Sequence, residues 1–149
     1  MLVEKETKTS KCENIFQKTL VNITHTFHWS SQQVKDTLLP FDITQQQYNV
    51  LKIIRNQYPS PSTIGLIQAK IVDKMSDTSR IVDRLIQKGY VKKTINTYDK
   101  RAVDIIISDA GLSLLKEISK KIDFSTLIAP NLTPEEAEKL NVLLDKMRG

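Results

Sequence analysis

The sequence predicts a mainly α-helical protein that contains one small β-hairpin. Over most of the chain, apolar residues recur at every third or fourth position, as on the buried face of a helix. Only residues 91–96 and 103–107 show the shorter period of two that is typical of strands. A length of 149 residues is enough to form one hydrophobic core. We therefore expect a single domain over residues 1–149.

The first predicted helix covers about residues 12–39. Phe16, Leu20 and Phe27 follow one helical line, whereas Trp29 and Leu38 are apolar residues off that line. The helix is therefore apolar on more than one face. This pattern indicates that it packs both on its own subunit and on a partner.

Two shorter segments follow. Thr44 and Gln47 form a capping box that starts the second helix, and a turn with two prolines ends it. Ser62 or Thr63 then caps a short helix over about residues 64–72. We interpret this short helix as the first member of a helix-turn-helix.

Residues 76–89 are predicted to form the second member. Ser76 is a suitable N-cap, and Gly89 can adopt the left-handed conformation that ends a helix. The predicted buried stripe consists of Thr78, Ile81, Val82 and Leu85. The predicted exposed side carries Ser76, Asp77, Ser79, Arg80, Asp83, Arg84 and Gln87. Such short polar side chains and arginines suit base edges and phosphates, although a solvated helix face has a similar composition.

The hairpin follows this helix directly, and its predicted tip carries Asp99, Lys100 and Arg101. A helix followed by a hairpin with a basic tip is the pattern of a winged helix-turn-helix. Residues 74–104 contain eight basic and four acidic residues, so most of the chain's net charge of +5 lies in one fifth of its length. We therefore predict that the protein binds double-stranded DNA.

The predicted DNA contacts differ in kind. Arg80 can pair with guanine, Arg84 is expected nearer the phosphates, and Arg101 can enter a narrow minor groove. Asp99 is expected to support the wing, although an exposed Asp99–Arg101 pair is also common in ordinary turns. The candidate DNA-binding set is Ser62, Lys74, Ser76, Asp77, Ser79, Arg80, Arg84, Lys100 and Arg101.

Two further helices are predicted after the hairpin. Ser108 caps a helix from Asp109 to about Ile128, and Thr133 and Glu136 form the capping box of the last helix. Together with the first helix, these helices have more apolar surface than one small core requires. We therefore expect an obligate symmetric homodimer.

Three segments resemble the MarR family of bacterial transcription regulators. They are SDTSRIVDRLIQKGYV (76–91), DKRAV (99–103) and ISDAG (107–111), and their order and spacing match as well. The resemblance implies a winged helix-turn-helix over about residues 44–107, flanked by dimerisation helices at about 12–39 and 109–149. One departure is the segment LIQAKIVDKMSD (66–77). It has about one residue more than the usual connection between the two helices of the winged helix-turn-helix, which is called the reader below (about residues 44–107).

The same resemblance implies a function. Family members are sequence-specific regulators, and we expect a ligand-responsive repressor that acts as a homodimer on a pseudo-palindromic site. In the family the wing arginine, here Arg101, reaches the DNA. Members often bind a small aromatic or anionic effector between the first helix and the reader. The corresponding candidates here are Phe27, His28, Trp29 and Tyr48.

Cys12 is the only cysteine, so no internal disulfide is possible and a reducing compartment is expected. It lies near the position where the organic-hydroperoxide sensors of the family carry their reactive cysteine. The residues after it, ENIFQKTL, do not match those sensors. Because of its position, Cys12 still leaves a redox-sensing regulator as an alternative to the ligand-responsive one.

Several function classes are not supported. No apolar run reaches the roughly 18 residues of a membrane span, and the N-terminus lacks the apolar centre of a signal peptide, so we expect a cytoplasmic protein. The chain has no glycine-rich phosphate loop and no nucleophile elbow, so we expect no enzyme, no cofactor and no metal. The competing class is a winged-helix module that binds protein and not DNA.

Overall fold

The computed structural model describes residues 14–149. In chain order, these residues form helix α1 (Ile15–Leu38), a short 3₁₀ helix (Leu39–Phe41), α2 (Gln45–Gln57), α3 (Ile64–Lys70), α4 (Thr78–Gln87), strands β1 (Val91–Ile95) and β2 (Val103–Ile107), α5 (Asp109–Lys121), a second 3₁₀ helix (Phe124–Leu127) and α6 (Pro134–Arg148). The prediction of a mainly helical chain with one hairpin is confirmed. The chain divides into two compact units, of which one contains residues 35–122 and the other contains residues 14–34 and 123–149.

The unit of residues 35–122 has a well-formed hydrophobic core. Among the described residues, every large apolar side chain that is buried lies in this unit. They are Leu38, Ile43, Val50, Leu51, Ile54, Ile67, Ile71, Ile81, Val82, Leu85, Val91, Ile105, Ile107, Leu114, Leu115 and Ile118. Each such side chain stabilises the fold by roughly 1.5–3 kcal/mol relative to exposure. The core joins α2, α4 and the hairpin, and so fixes the orientation of α4 relative to α2 and the hairpin.

β1 and β2 pair antiparallel over their full lengths. A further backbone pair involves Ser62, which precedes α3. Its N–H donates to the carbonyl of Ile105 at 2.7 Å, and its carbonyl accepts from the Ile105 N–H at 2.8 Å. This bridge ties the start of α3 to the hairpin.

Four of the predicted helix boundaries are confirmed. Thr44 and Thr133 each begin a helix with a reciprocal capping box, and Ser108 caps α5 by accepting from the backbone N–H of Gly111 at 3.1 Å. Gly89 follows α4 with φ +77°, a conformation that costs glycine nothing because it has no Cβ. These local signals suffice to place the helix ends.

The predicted end of α5 near Ile128 was wrong. The helix ends at Lys121, and Ile122 is extended. Asp123 then caps a separate 3₁₀ helix by accepting from the backbone N–H of Ser125 at 2.9 Å. Hydrogen bonds from the side chain and backbone of Ser125 lower the pKa of the Asp123 carboxyl. The sequence contains the Asp-x-Ser pattern of such a cap. Because the helical spacing of apolar residues continues past Asp123, the periodicity nevertheless predicted a longer helix.

The unit of residues 14–34 and 123–149 is built differently. None of its described residues is a fully buried apolar side chain. Phe16 is 78% exposed and Leu143 is 54% exposed, and other large apolar residues of α1 and α6 are similarly open. In the unit of residues 35–122, by contrast, large apolar side chains from several elements form a buried core. This unit therefore presents apolar surface without a partner inside it.

Within residues 14–149, no helix is both long and apolar enough to cross a bilayer.

Candidate nucleic-acid interface

α4 has the two faces that the sequence predicts. Thr78, Ile81, Val82 and Leu85 are buried, whereas Ser79, Arg80, Asp83, Arg84 and Gln87 are exposed. The helix begins one residue later than predicted, because its N-cap is Asp77 and not Ser76. The Asp77 carboxylate accepts from the backbone N–H of Arg80 at 3.1 Å. Asp77 therefore has a structural role, which restricts its predicted contact with a base.

Ser76 is turned into the protein. It is only 9% exposed, its Oγ donates to Asp73 Oδ2 at 3.0 Å, and it accepts from Gln46 Nε2 at 3.4 Å. These bonds brace the chain just before α4. Because its hydroxyl is already bound on both sides inside the unit, this geometry disfavours the predicted contact between Ser76 and DNA, which stays a prediction.

The connection between α3 and α4 is held by its own hydrogen bonds. Lys74 Nζ donates to the carbonyls of Ala69 at 2.8 Å and Gln68 at 3.2 Å, at the C-terminal end of α3. In return, Gln68 Nε2 donates to the Lys74 carbonyl at 3.3 Å, and the Thr78 hydroxyl donates to Gln68 Oε1. A cation at this end of a helix also interacts favourably with its dipole. A phosphate contact by Lys74 would have to compete with these bonds.

The two arginines of α4 are held to different degrees. Arg84 Nη1 donates to Gln87 Oε1 at 3.2 Å, which steadies its guanidinium along the helix. Within residues 14–149, no hydrogen bond or ion pair engages the Arg80 guanidinium. Because Arg80 stands in the first turn of α4 and is exposed, its five donors are available to an external acceptor.

The hairpin tip is organised by Asn96. Its Oδ1 accepts from the backbone N–H groups of Tyr98 at 2.8 Å and Asp99 at 2.9 Å, while its Nδ2 donates to the Asp104 carboxylate at 3.0 Å. Asp99 in turn accepts from the backbone N–H of Arg101 at 2.9 Å. Asp99 thus supports the loop backbone, and no contact between it and the Arg101 guanidinium occurs among the described residues. The tip holds Arg101 exposed and available.

The basic residues of segment 74–104 differ in whether other groups of the chain already bind them. Lys88 Nζ forms an ion pair with Asp42 at 3.0 Å, and Lys74 is engaged with α3. The other basic residues of segment 74–104 are exposed: Arg80, Arg84, Lys92, Lys93, Lys100 and Arg101. The available cations therefore lie on α4 and along the hairpin, as expected of a surface that meets phosphates.

Ser62 does not belong to this surface. It is fully buried, and both of its backbone groups pair with Ile105. The bridge to β2 turns the residue inward, which disfavours the predicted contact between Ser62 and DNA; that contact stays a prediction. Thr63 is the residue that caps α3, accepting from the Leu66 N–H at 3.2 Å.

The predicted effector residues fall in different units. Phe27, His28 and Trp29 lie on α1 in the unit of residues 14–34 and 123–149, whereas Tyr48 lies on α2 in the other unit. Burial raises the pKa of the Tyr48 hydroxyl, partly opposed by the charge of Arg55. The grouping of these four residues in one pocket stays a prediction. Cys12 lies outside the described residues.

A pocket of about 490 Å³ lies within the unit of residues 35–122. Its lining consists of Thr37, Pro40, Phe41, Tyr90, Leu114, Glu117, Lys121 and Ile122. Lys121 Nζ lies 5.6 Å from the centre of the Phe41 ring and 2.7 Å from Glu117 Oε1. The pocket thus combines aromatic surface with a cation that is paired with one carboxylate of the lining, Glu117. Its lining comes from distant parts of the chain, so no local sequence pattern indicated it.

Sequence reasoning also missed Asn96 and Gln68, which position the wing and the α3–α4 connection. Asn96 carried a recognisable signal, because asparagine often accepts from backbone N–H groups two or three residues later in a turn. Gln68 carried none, since its partners Lys74 and Thr78 are determined by the fold. In the part of the chain that the structure describes, no cluster of three or more metal-binding side chains occurs.

Comparison with known proteins identifies the family. A sequence model of the MarR family matches residues 43–103. The multiple antibiotic resistance protein MarR of Escherichia coli is 32% identical over 122 residues, which cover 77% of this chain and 83% of that protein. The chain belongs to the MarR family. The MarR protein of Salmonella typhimurium is 31% identical over the same shares of both chains.

Solved structures of MarR regulators have the same fold. A variant of E. coli MarR in complex with operator DNA superimposes with a TM-score of 0.75 at 26% identity, over 91% of this chain and 99% of that one. An organohalide-sensing transcription regulator in its 2,4-dichlorophenol-bound form gives a TM-score of 0.79 at 22% identity, over 95% of this chain and 86% of that one. The predicted winged helix-turn-helix is confirmed.

Proposed function

We propose that this MarR-family protein is a DNA-binding transcription regulator that acts as a homodimer on a pseudo-palindromic site and represses transcription until a ligand binds. One observation carries the proposal. The exposed guanidinium groups of Arg80 and Arg101, neither engaged by other described residues, lie on the two elements with which a winged helix meets DNA. The E. coli relative with this fold has been solved on its operator.

α4 reads the bases in the major groove. Arg80 lies in the first turn, where a recognition helix approaches base edges, and it can bond bidentately to guanine. Ser79 is exposed beside it and can bond to a base or a phosphate. Arg84, steadied by Gln87, is one turn further along and contacts a phosphate.

The wing contacts the DNA beside this site. Arg101 enters the minor groove, where a narrow A/T-rich tract concentrates negative potential, and Lys100 contacts the backbone. Asn96 and Asp99 fix the backbone of the tip by their hydrogen bonds to N–H groups. Less conformational entropy is then lost when Arg101 binds.

A symmetric dimer supplies the second half-site. The described parts of α1 and α6 expose large apolar side chains such as Phe16 and Leu143, which association would bury. Two readers related by a two-fold axis contact half-sites about one helical turn apart. One reader alone covers only a few base pairs.

We propose that the 490 Å³ pocket is the effector site. Lys121 supplies a positive charge for a carboxylate or phenolate, and Phe41 and Tyr90 supply aromatic surface. The alternative set of Phe27, His28, Trp29 and Tyr48 remains a second candidate. Lys121→Ala is expected to abolish release of DNA by a small aromatic anion such as salicylate, whereas His28→Ala leaves it unchanged.

We further propose that the protein works in the cytoplasm and catalyses no reaction. Its task is binding, and chromosomal DNA in a bacterium lies in the cytoplasm. The winged-helix unit offers a DNA surface and an effector pocket, both of which serve regulation.

Duplex binding tests the function directly. The wild-type protein selects its preferred duplex from a randomised pool, and fluorescence anisotropy then measures Kd as salt is raised. Each neutralised phosphate contributes a slope of about −0.9 to the logarithmic plot, so affinity should fall steeply with salt. If no duplex is bound even at low salt, the protein is a winged-helix module for protein partners and the proposal fails.

Variants then test the assigned roles. Arg80→Ala should reduce discrimination between guanine and other bases by about 1–3 kcal/mol at one position of each half-site. Arg101→Ala should weaken binding mainly when the flanks are A/T-rich. Lys146→Ala, an exposed lysine of α6, is the matched control and should bind as the wild type does. An equal loss for all sequences in Arg80→Ala would make Arg80 a phosphate contact.

A further inference from the structure

Two apolar side chains protrude from the connection between α3 and α4. Val72 is 96% exposed and Met75 is 92% exposed, although their neighbour Ile71 is buried. Single exposed apolar residues are common on proteins. These two differ because the backbone that carries them is fixed, and because the surface beside them is cationic.

The fixed backbone follows from hydrogen bonds around Asp73. Its Oδ1 accepts from the Met75 N–H at 3.1 Å, and its carbonyl accepts from the Ser76 N–H at 3.1 Å. On the inner side, Lys74 is bonded to the end of α3. These bonds hold the turn that carries Met75, and Val72 lies directly before that turn, next to the buried Ile71. Both side chains are held in solvent, at a cost that contact with a partner would remove.

The position of the pair indicates what that partner is. Met75 lies two residues before Asp77, the N-cap of α4, so its Cα is within about 8 Å of the helix start. The first turn of this helix carries the exposed Arg80, whose charge is complementary to a phosphate-lined groove. The beginning of a recognition helix is also the part that approaches base edges.

Major-groove chemistry offers one apolar group for such side chains. Thymine alone among the four bases carries a methyl group there, at its C5 position. We propose that Val72 and Met75 contact thymine methyl groups at the edge of the bases read by α4, and so add a preference for thymine to the hydrogen-bonded readout. This inference rests on the proposed function.

Uracil gives a direct probe, because it differs from thymine only by the missing methyl group. The duplex selected by the wild-type protein is remade with uracil at one thymine position at a time, and Kd is measured for each. Loss of one buried methyl group should raise Kd about fourfold. We expect this effect at one or two thymines in each half-site.

Variants assign the effect to the two residues. Val72→Asn and Met75→Gln keep approximate size or length but replace the apolar groups by polar ones, whereas Val72→Ile and Met75→Leu stay apolar. At the sensitive thymines, the polar variants should lose about fourfold on the thymine duplex and respond no further to uracil. The apolar variants should keep the wild-type response. Circular dichroism melts should match the wild type, since both positions are exposed.

Each outcome separates this inference from the proposed function. If the wild type selects no sequence, the proposed function itself fails. If it selects a sequence but binds the uracil duplexes as well as the thymine duplex, only the thymine contact is overturned. The contact is also overturned if the polar variants lose affinity equally for thymine and uracil duplexes. That pattern belongs to sugar or backbone contacts, which carry no base preference.

Discussion

Gly111 and Gly65 are two helical glycines for which the structure predicts opposite effects of the same substitution. Gly111 lies in the first turn of α5. A Cβ at this position would lie 2.3 Å from the carbonyl oxygen of Tyr90 and 2.8 Å from Cγ1 of Ile107. The nearest atom is backbone, so no side-chain rotation can relieve the clash. Gly65 lies in α3, and the nearest atom to its Cβ would be Thr63 Oγ1 at 4.0 Å.

The expected change in the free energy of unfolding follows from helix propensity, overpacking and one weakened hydrogen bond. In a helix, alanine is favoured over glycine by up to about 1 kcal/mol. At Gly111, overpacking costs roughly 1–3 kcal/mol, and the clash with a backbone atom favours the upper end. The Tyr90 carbonyl also accepts from the Ser108 N–H at 3.0 Å, and displacing it weakens a bond worth about 1 kcal/mol. The net loss for Gly111→Ala is therefore about 2–3 kcal/mol.

Gly65→Ala is the matched control, because it has the helix-propensity gain without the clash. Its free energy of unfolding should be equal to the wild-type value or up to about 1 kcal/mol higher. Urea unfolding followed by circular dichroism measures both variants. All proteins are compared at one concentration, since the stability of a dimer depends on concentration.

Gly111→Ala should also lower Tm by about 4–12 °C, given the roughly 2–4 °C per kcal/mol expected for a chain of this size. The reasoning is refuted if Gly111→Ala is as stable as the wild type. It is also refuted if both alanine variants shift stability in the same direction, because the effect would then arise in the unfolded chain.

Three further predictions concern the wing, the end of α5 and the dimer. Asn96→Ala should weaken DNA binding as much as Arg101→Ala does, because the tip loses the acceptor that orders it; anisotropy titrations of both variants compare them. Asp123→Ala should lower Tm at neutral pH, and its difference from the wild type should vanish as pH falls through the depressed pKa of Asp123, where protonation removes the acceptor in the wild type too. Charge at Leu140 and Leu144 together should yield monomers or aggregates without specific DNA binding, whereas a stable monomer that binds the full site normally, seen by light scattering, would contradict the dimer.

Local sequence patterns were sufficient to identify most of the helices, the hairpin and the family. Capping residues such as Thr44 and Ser108 bind backbone groups within one turn. The residues that determine such a helix end therefore lie next to each other in the sequence. The same holds for the change of period at the hairpin. The segments around Arg80 and Arg101 also carried the resemblance to MarR regulators, which the comparisons confirmed.

Which polar residues face outward could not be inferred from local patterns, because it depends on contacts between distant elements. Ser62 and Ser76 looked like surface serines, but contacts with Ile105 and Gln46 turn them inward. The Gln46–Ser76 bond spans 30 positions, a distance over which local sequence patterns carry no information. Lys74 likewise had the residue type of a phosphate ligand, but in the folded chain its ammonium group donates to carbonyls at the end of α3. Burial depends on packing between elements far apart in the chain, whereas the local preference of a serine or lysine is the same in either orientation.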